Sequence, residues 1–162
     1  MELKKLQDLF VDVLKDTYDA EHQITKALPK MVKAAYTPEL KSAFENHLKQ
    51  TENHIKRLES VFESVDKKPT RKSCKGMQGL LEEGSEMMKE EGEPEVLDAG
   101  LIAAAQKVEH YEISAYGTLI AYAELLGLDA AAQALHQNLD EEKAADKKLT
   151  GIAEETVNIQ AA

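Results

Sequence analysis

Apolar residues recur at three- and four-residue spacing along almost the whole chain, and this regularity restricts what it can fold into. Leu6, Phe10, Val13, Leu14, Ile24, Leu28 and Met31 fall on one face of a turn of about 3.6 residues. Runs of alternating β-branched residues, the mark of half-buried strands, are missing. The fold class expected is all-α. With 162 residues there is enough chain for one domain, whose core covers roughly two thirds of the unfolded surface.

Proline, glycine and capping residues divide the pattern. A first helix is expected from about Leu3 to Tyr36, bent near Pro29, whose ring opposes a straight continuation. Thr37-Pro38 supplies an N-cap and a first-turn proline for a second helix to about Val65, tightly joined and therefore antiparallel to the first. DKKPTRKSCKG, Asp66 to Gly76, reads as a polar crossover and leads into a short amphipathic helix from Met77 to about Glu91. Glu93-Pro94-Glu95 opens a third long helix to about Leu126, Gly127 closes it, and Asp129 can cap a fourth to about Ile159. Two hairpins joined by a long crossover predict a ferritin-like four-helix bundle, with an up-and-down bundle as the alternative.

Acidic residues interrupt these apolar faces at one height. A lone buried carboxylate costs several kcal/mol, so inward acids must be paired, protonated or bound to metal. Glu21 lies sixteen residues before Thr37; Gln50, Thr51 and His54 lie thirteen to seventeen after it, level with Glu21 at about 1.5 Å of rise per residue. In the second hairpin, Glu112 and Glu109 lie sixteen and nineteen residues before Leu128, and Glu142 and Asp146 fourteen and eighteen after it. Sliding the first hairpin by 91 residues sets Glu21 on Glu112 and Thr51 on Glu142, the pattern of weakly related copies. Such converging charge calls for two divalent cations, and an oxygen-rich set with few imidazoles suits iron or manganese.

Charge and cysteine usage narrow the partners. Thirty acidic against twenty basic side chains give a net charge of −10, which repels nucleic acid and anionic membrane surfaces. No apolar run reaches the roughly 18 residues of a membrane span. One cysteine, Cys74, and no charged-then-apolar leader are expected of a cytoplasmic protein.

TYDAEHQITKALPKM, QKVEHYEISAYGTL and LDEEKAADKKLTGIA resemble the signature segments of the YciF/YciE-type ferritin-like proteins, a bacterial stress-associated family, and the likeness covers nearly the whole chain. The resemblance implies a ferritin-like bundle, commonly a homodimer, with a dinuclear metal centre. By that resemblance Glu21, His47, Glu109, Glu112 and Glu142 are metal ligands. Position 50, often Glu in the family, is Gln50, which lowers the site's charge or leaves a weaker carbonyl ligand. The usual order Glu, Glu-x-x-His, Glu, Glu-x-x-His is replaced here by HLKQ and TENH on the second helix and EKAA with Asp146 on the fourth. Whether His47 or His54 binds metal depends on helix rotation.

Other residues have plainer readings. His22, His110 and His136 fall on charged faces, Tyr18, Tyr111 and Tyr116 read as core, and Cys74 as a bystander thiol in a solvated basic loop. No C-x-x-C-H is present for haem. The function expected is an oxidoreductase holding two iron ions, with manganese as the other choice, and acting on peroxide, dioxygen or ferrous iron. A metal-stabilised scaffolding bundle is the alternative.

Overall fold

Residues 3–162 are described in a computed structural model. The chain forms α1 (Leu6–Ala34), α2 (Pro38–Ser64), α3 (Lys75–Met87), α4 (Pro94–Leu125) and α5 (Asp129–Ile152), followed by a wider π turn, Ala153–Val157, and a last short α6, Asn158–Ala161. All the regular structure among the described residues is helical. No helix there is long and apolar enough to cross a membrane.

The four long helices form a ring in which α1 touches α2 and α4, and α5 touches α2 and α4. Cross-helix bonds give the directions. Glu39 meets Lys148 while Arg57 meets Asn138, so α2 and α5 run oppositely. Asp98 meets the Tyr36 amide while Tyr116 meets Glu21, so α1 and α4 do too. Every neighbouring pair is thus antiparallel, and α2 and α4, on the diagonal, share a direction. One long crossover through α3 makes this possible, in place of the up-and-down alternative.

Local chemistry explains most boundaries. Gly127, at φ 70, takes the left-handed conformation after α4, and the Leu128 amide reaches the Ala123 carbonyl at 2.9 Å, closing the helix as a glycine C-cap does. Thr37 departs from expectation: it occupies the N-cap of α2 but its hydroxyl donates to Asp98 of α4, so it makes no cap bond. Leu128, and not Asp129, occupies the N-cap of α5. α1 continues through Pro29, which lies on its exposed side. The single fourth helix expected to Ile159 is broken by the π turn, where Ala153 and Val157 are buried.

The basic crossover is not simply solvated. Arg71 reaches Asp19 at 2.7 Å, Lys72 binds Asp12, and the Lys72 amide donates to the Lys15 carbonyl, strapping the segment along α1. Cys74 caps α3, fully buried, and burial pushes its thiol up, so the basic loop does not activate it. α3 lies close on α4, where a Cβ at Gly76 would come within 2.6 Å of the Tyr111 ring.

The core is split. One apolar cluster, with Leu28, Phe44, Leu101 and Leu149, fills the end near the α1–α2 turn. A second, with Phe10, Leu58, Phe62, Leu119 and Leu135, fills the other. Between them lies a layer of buried polar groups.

Candidate metal centre

The layer is set by helical spacing. His47, Thr51 and His54 follow one another at four and three residues along the inner face of α2, and Glu109 and Glu112 at three along α4. Glu21 of α1 and Glu142 of α5 meet them from the other two helices. Two groups of potential ligands result: Glu21, His54, Glu112 and Glu142 form one, and His47, Glu109 and Glu142 the other. Glu142 belongs to both.

Within the first group His54 Nδ1 lies 3.1 Å from Glu21 Oε1 and 2.9 Å from Glu142 Oε1. A single N–H there can align with only one oxygen, and it aligns with Glu21. In the second, His47 Nε2 lies 3.1 Å from Glu109 Oε1 and 3.6 Å from Glu142 Oε2. What is missing is donors. Glu21 Oε2, Glu109 Oε2 and both oxygens of Glu112 and Glu142 are buried without any hydrogen-bond partner among the described residues.

Electrostatics reflects that deficit. Burial, helped by the negative charge of Glu21, lifts the Glu109 carboxyl to about 7. Burial, together with Glu109, lifts Glu142 to about 7. Burial beside Glu21 and Glu142 pushes Glu112 well above the usual carboxylate range. Burial alone would lower His54, but the close carboxylates of Glu142 and Glu21 outweigh it and raise the imidazole to about 10. Without cations the centre therefore holds protons where metals would sit.

The donor set fits two divalent ions. Four glutamates, once ionised, carry four negative charges, which two such ions cancel, and the two imidazoles bind neutral. The ligand atoms of each group lie within 4.8 Å of one another. An ion bonded at about 2.1 Å would set its ligand atoms roughly 3 to 4 Å apart, which falls within that limit.

Of the residues expected from the sequence, Glu21, His47, His54, Glu109, Glu112 and Glu142 come together here, and both histidines are included. Gln50 sits outside, its Oε1 3.4 Å from His47 Nδ1, where it faces the back of the imidazole and not the carboxylates. Asp146 does not join either group. It lies at the α4–α5 seam with Gln106, at 3.1 Å, and the exposed His110, at 3.2 Å. Thr51, the counterpart of Glu142, turns its hydroxyl to the His47 carbonyl.

The profile of a family described as a domain of unknown function, DUF892, matches residues 5–162. The chain belongs to the DUF892 family. Protein YciF of Escherichia coli K12 is 48% identical to this DUF892 chain over 162 residues, covering 99% of it and 98% of YciF. The crystal structure of the E. coli stress protein YciF matches with a TM-score of 0.93 over 96% of this chain and 99% of that one. YcfI from Rhodopseudomonas palustris, for which a structural role has been suggested, matches at 46% identity and a TM-score of 0.90, over 92% and 95% of the two chains. A Xanthomonas campestris protein at 20% identity, with a TM-score of 0.77 over 96% and 95%, shares the fold alone.

Around the DUF892 cluster lie residues that sequence reasoning missed. Glu141 Oε2 lies 2.8 Å from His54 Nε2 and pairs through both oxygens with Arg57, at 2.9 and 3.0 Å. Such a carboxylate favours a proton on Nε2, so that Nδ1, on the inner side, would be the nitrogen to lose its proton to a cation. Arg57 also holds Asn138 at 2.9 Å, Asn138 donates to the Tyr116 oxygen at 3.2 Å, and Tyr116 donates to Glu21. Tyr116, expected as plain core, is thus part of the polar layer. Arg57 at three residues from His54, and Asn138 at four from Glu142, were the only available signals.

Proposed function

We propose that this chain is a ferritin-like dinuclear metal protein, with iron or manganese at the Glu142-centred cluster, and that it is an oxidoreductase acting on peroxide or ferrous iron under stress. One observation carries the reading: six buried carboxylate oxygens, on four glutamates of one layer, have no hydrogen-bond partner among the described residues. Structural acids acquire donors for their oxygens; these six lack them, and cations are the simplest remedy. The relation to the stress protein YciF supports the physiological setting. A cytoplasmic homodimer completes the proposal.

Two cations sharing one carboxylate would supply two single-electron changes to a bound O–O group. The chain's own residues then have definable tasks. Glu141 and Arg57 hold His54 in the ligating tautomer, Gln50 steadies His47, and Tyr116 fixes the orientation of Glu21. Glu109 and Glu142 give up protons as cations enter, and the apolar cluster with Phe10, Phe62 and Leu119 closes the other end of the layer to bulk water.

Elemental analysis of protein isolated under reducing, metal-replete conditions should give about two ions per chain. The same sample should consume hydrogen peroxide or oxidise ferrous iron, and the Glu112→Ala, Glu142→Ala double variant should lose both metal and turnover. Undiminished turnover in that variant would refute the assignment. The structural role suggested for YcfI favours a second reading, in which metals only stabilise the bundle. Full metal occupancy without turnover above background would select it.

A further inference from the structure

A cavity of about 420 Å³ lies directly beneath the centre, inside the apolar cluster near the α1–α2 turn. Its exposed rim includes Glu39 and Asn46 of α2 and Ala144 and Lys148 of α5. Inside, the walls are Leu28, Phe44, Val108 and Leu149. Its polar end is His47 and Glu109, two of the three ligands in the smaller group.

The cavity is too large and too apolar for a small oxidant alone. A water occupies about 30 Å³, so there is room for on the order of ten non-hydrogen atoms. Alanines make that room. Ala145 lines the cavity and is the counterpart, 91 residues on, of His54. Where the first hairpin projects an imidazole into the layer, the second projects a methyl group, and the space left joins the cavity. The smaller group is therefore short of a ligand on the side where the cavity reaches it.

We infer that this cavity is a binding site for an unbranched aliphatic molecule with a neutral oxygen head, such as an alcohol or alkyl hydroperoxide, the head meeting His47 and Glu109. The apolar walls bind the chain by removing it from water. The polar end offers a hydroxyl head a carboxyl acceptor on Glu109 and a hydrogen-bonding ring nitrogen on His47. This deepens the dinuclear reading by naming a substrate class, and it rests on that reading only for the catalytic meaning of the head's position.

The test uses metal-free full-length chain and calorimetric titration with 1-decanol. One saturable site per chain is expected. Ala43→Phe and Ala144→Phe, which fill the cavity from α2 and α5, should each weaken decanol at least tenfold. Ala121→Phe, on the exposed face of α4, should leave it unchanged. Absence of saturable binding to the parent chain, or equal binding by both cavity-filling variants with unchanged helical circular dichroism, overturns the inference. Metal titration of the same metal-free chain separates the two ideas. Two ions per chain without decanol binding defeats the cavity assignment alone, whereas decanol binding without metal uptake supports the cavity and defeats the dinuclear reading.

Discussion

Asp98 and Glu112 are equally shut off from water, at 0% and 1% exposure, yet their oxygens are treated in opposite ways. Asp98 accepts from the Tyr36 and Thr37 amides at 2.8 and 2.7 Å and from the Thr37 hydroxyl, tying the α1–α2 turn to α4. Asp19 is treated similarly. Burial would raise its carboxyl, but the Cys74 amide, Gln23 and Arg71 outweigh that and hold it below the usual range. Glu112 accepts from no donor among the described residues. A buried acid with its donors in place joins elements of the fold, while one left bare stores unfavourable energy that only a proton or a cation relieves.

Several variants would break or sharpen that contrast. The largest effect is expected at Asp98→Ala, which strands two backbone donors and a hydroxyl: a loss of about 3 kcal/mol or more in denaturant unfolding, with metal uptake unaltered. Next is the metal itself. Free ion at a hundredfold above its Kd should stabilise the chain by about 2.7 kcal/mol, read as a metal-dependent rise in melting temperature, and Glu112→Ala should abolish the rise.

Glu141→Gln tests the supporting carboxylate. It should weaken metal binding about tenfold, or about 1.4 kcal/mol, in a competition assay with a metal indicator, while leaving the fold intact. Glu112→Gln, unlike Asp98→Ala, should leave the stability of the metal-free chain within about 0.5 kcal/mol at neutral pH, because burial beside Glu21 and Glu142 already favours the uncharged carboxyl.

The pH dependence divides the acids in the same way. Glu109 and Glu142 have folded values raised from 4.5 to about 7, so the native metal-free state binds more protons than the unfolded one in between. Their contribution to stability is full below 4.5 and is lost as pH rises through about 7. Asp19, lowered from 3.8, contributes in the other direction: its share is present above that value and disappears as pH falls through its depressed folded one. Metal affinity should climb over the window in which Glu109 and Glu142 lose their protons, and proton release measured during metal titration would check it.

Spacing alone located the helices because a 3.6-residue turn writes its period into the chain, and equal distances from the two turns brought Glu21, Glu112 and Glu142 to one level. The identity of their companions was not written there. Glu141 and Glu142 are adjacent in sequence, yet one faces the interior and the other the α2–α5 seam, a difference set by the rotation of α5. Asp146 fits the spacing as well as Glu142 does but comes to rest beside Gln106 and His110.

Residue order by itself thus determined an all-helical chain in two hairpins with acids at a common height, since those properties follow from intervals along single helices. Only the packed structure decided which side chains face one another, which acids receive donors, and where space remains. Those outcomes depend on the angle at which each helix turns toward its neighbours, and that angle is fixed by contacts among residues far apart in the chain.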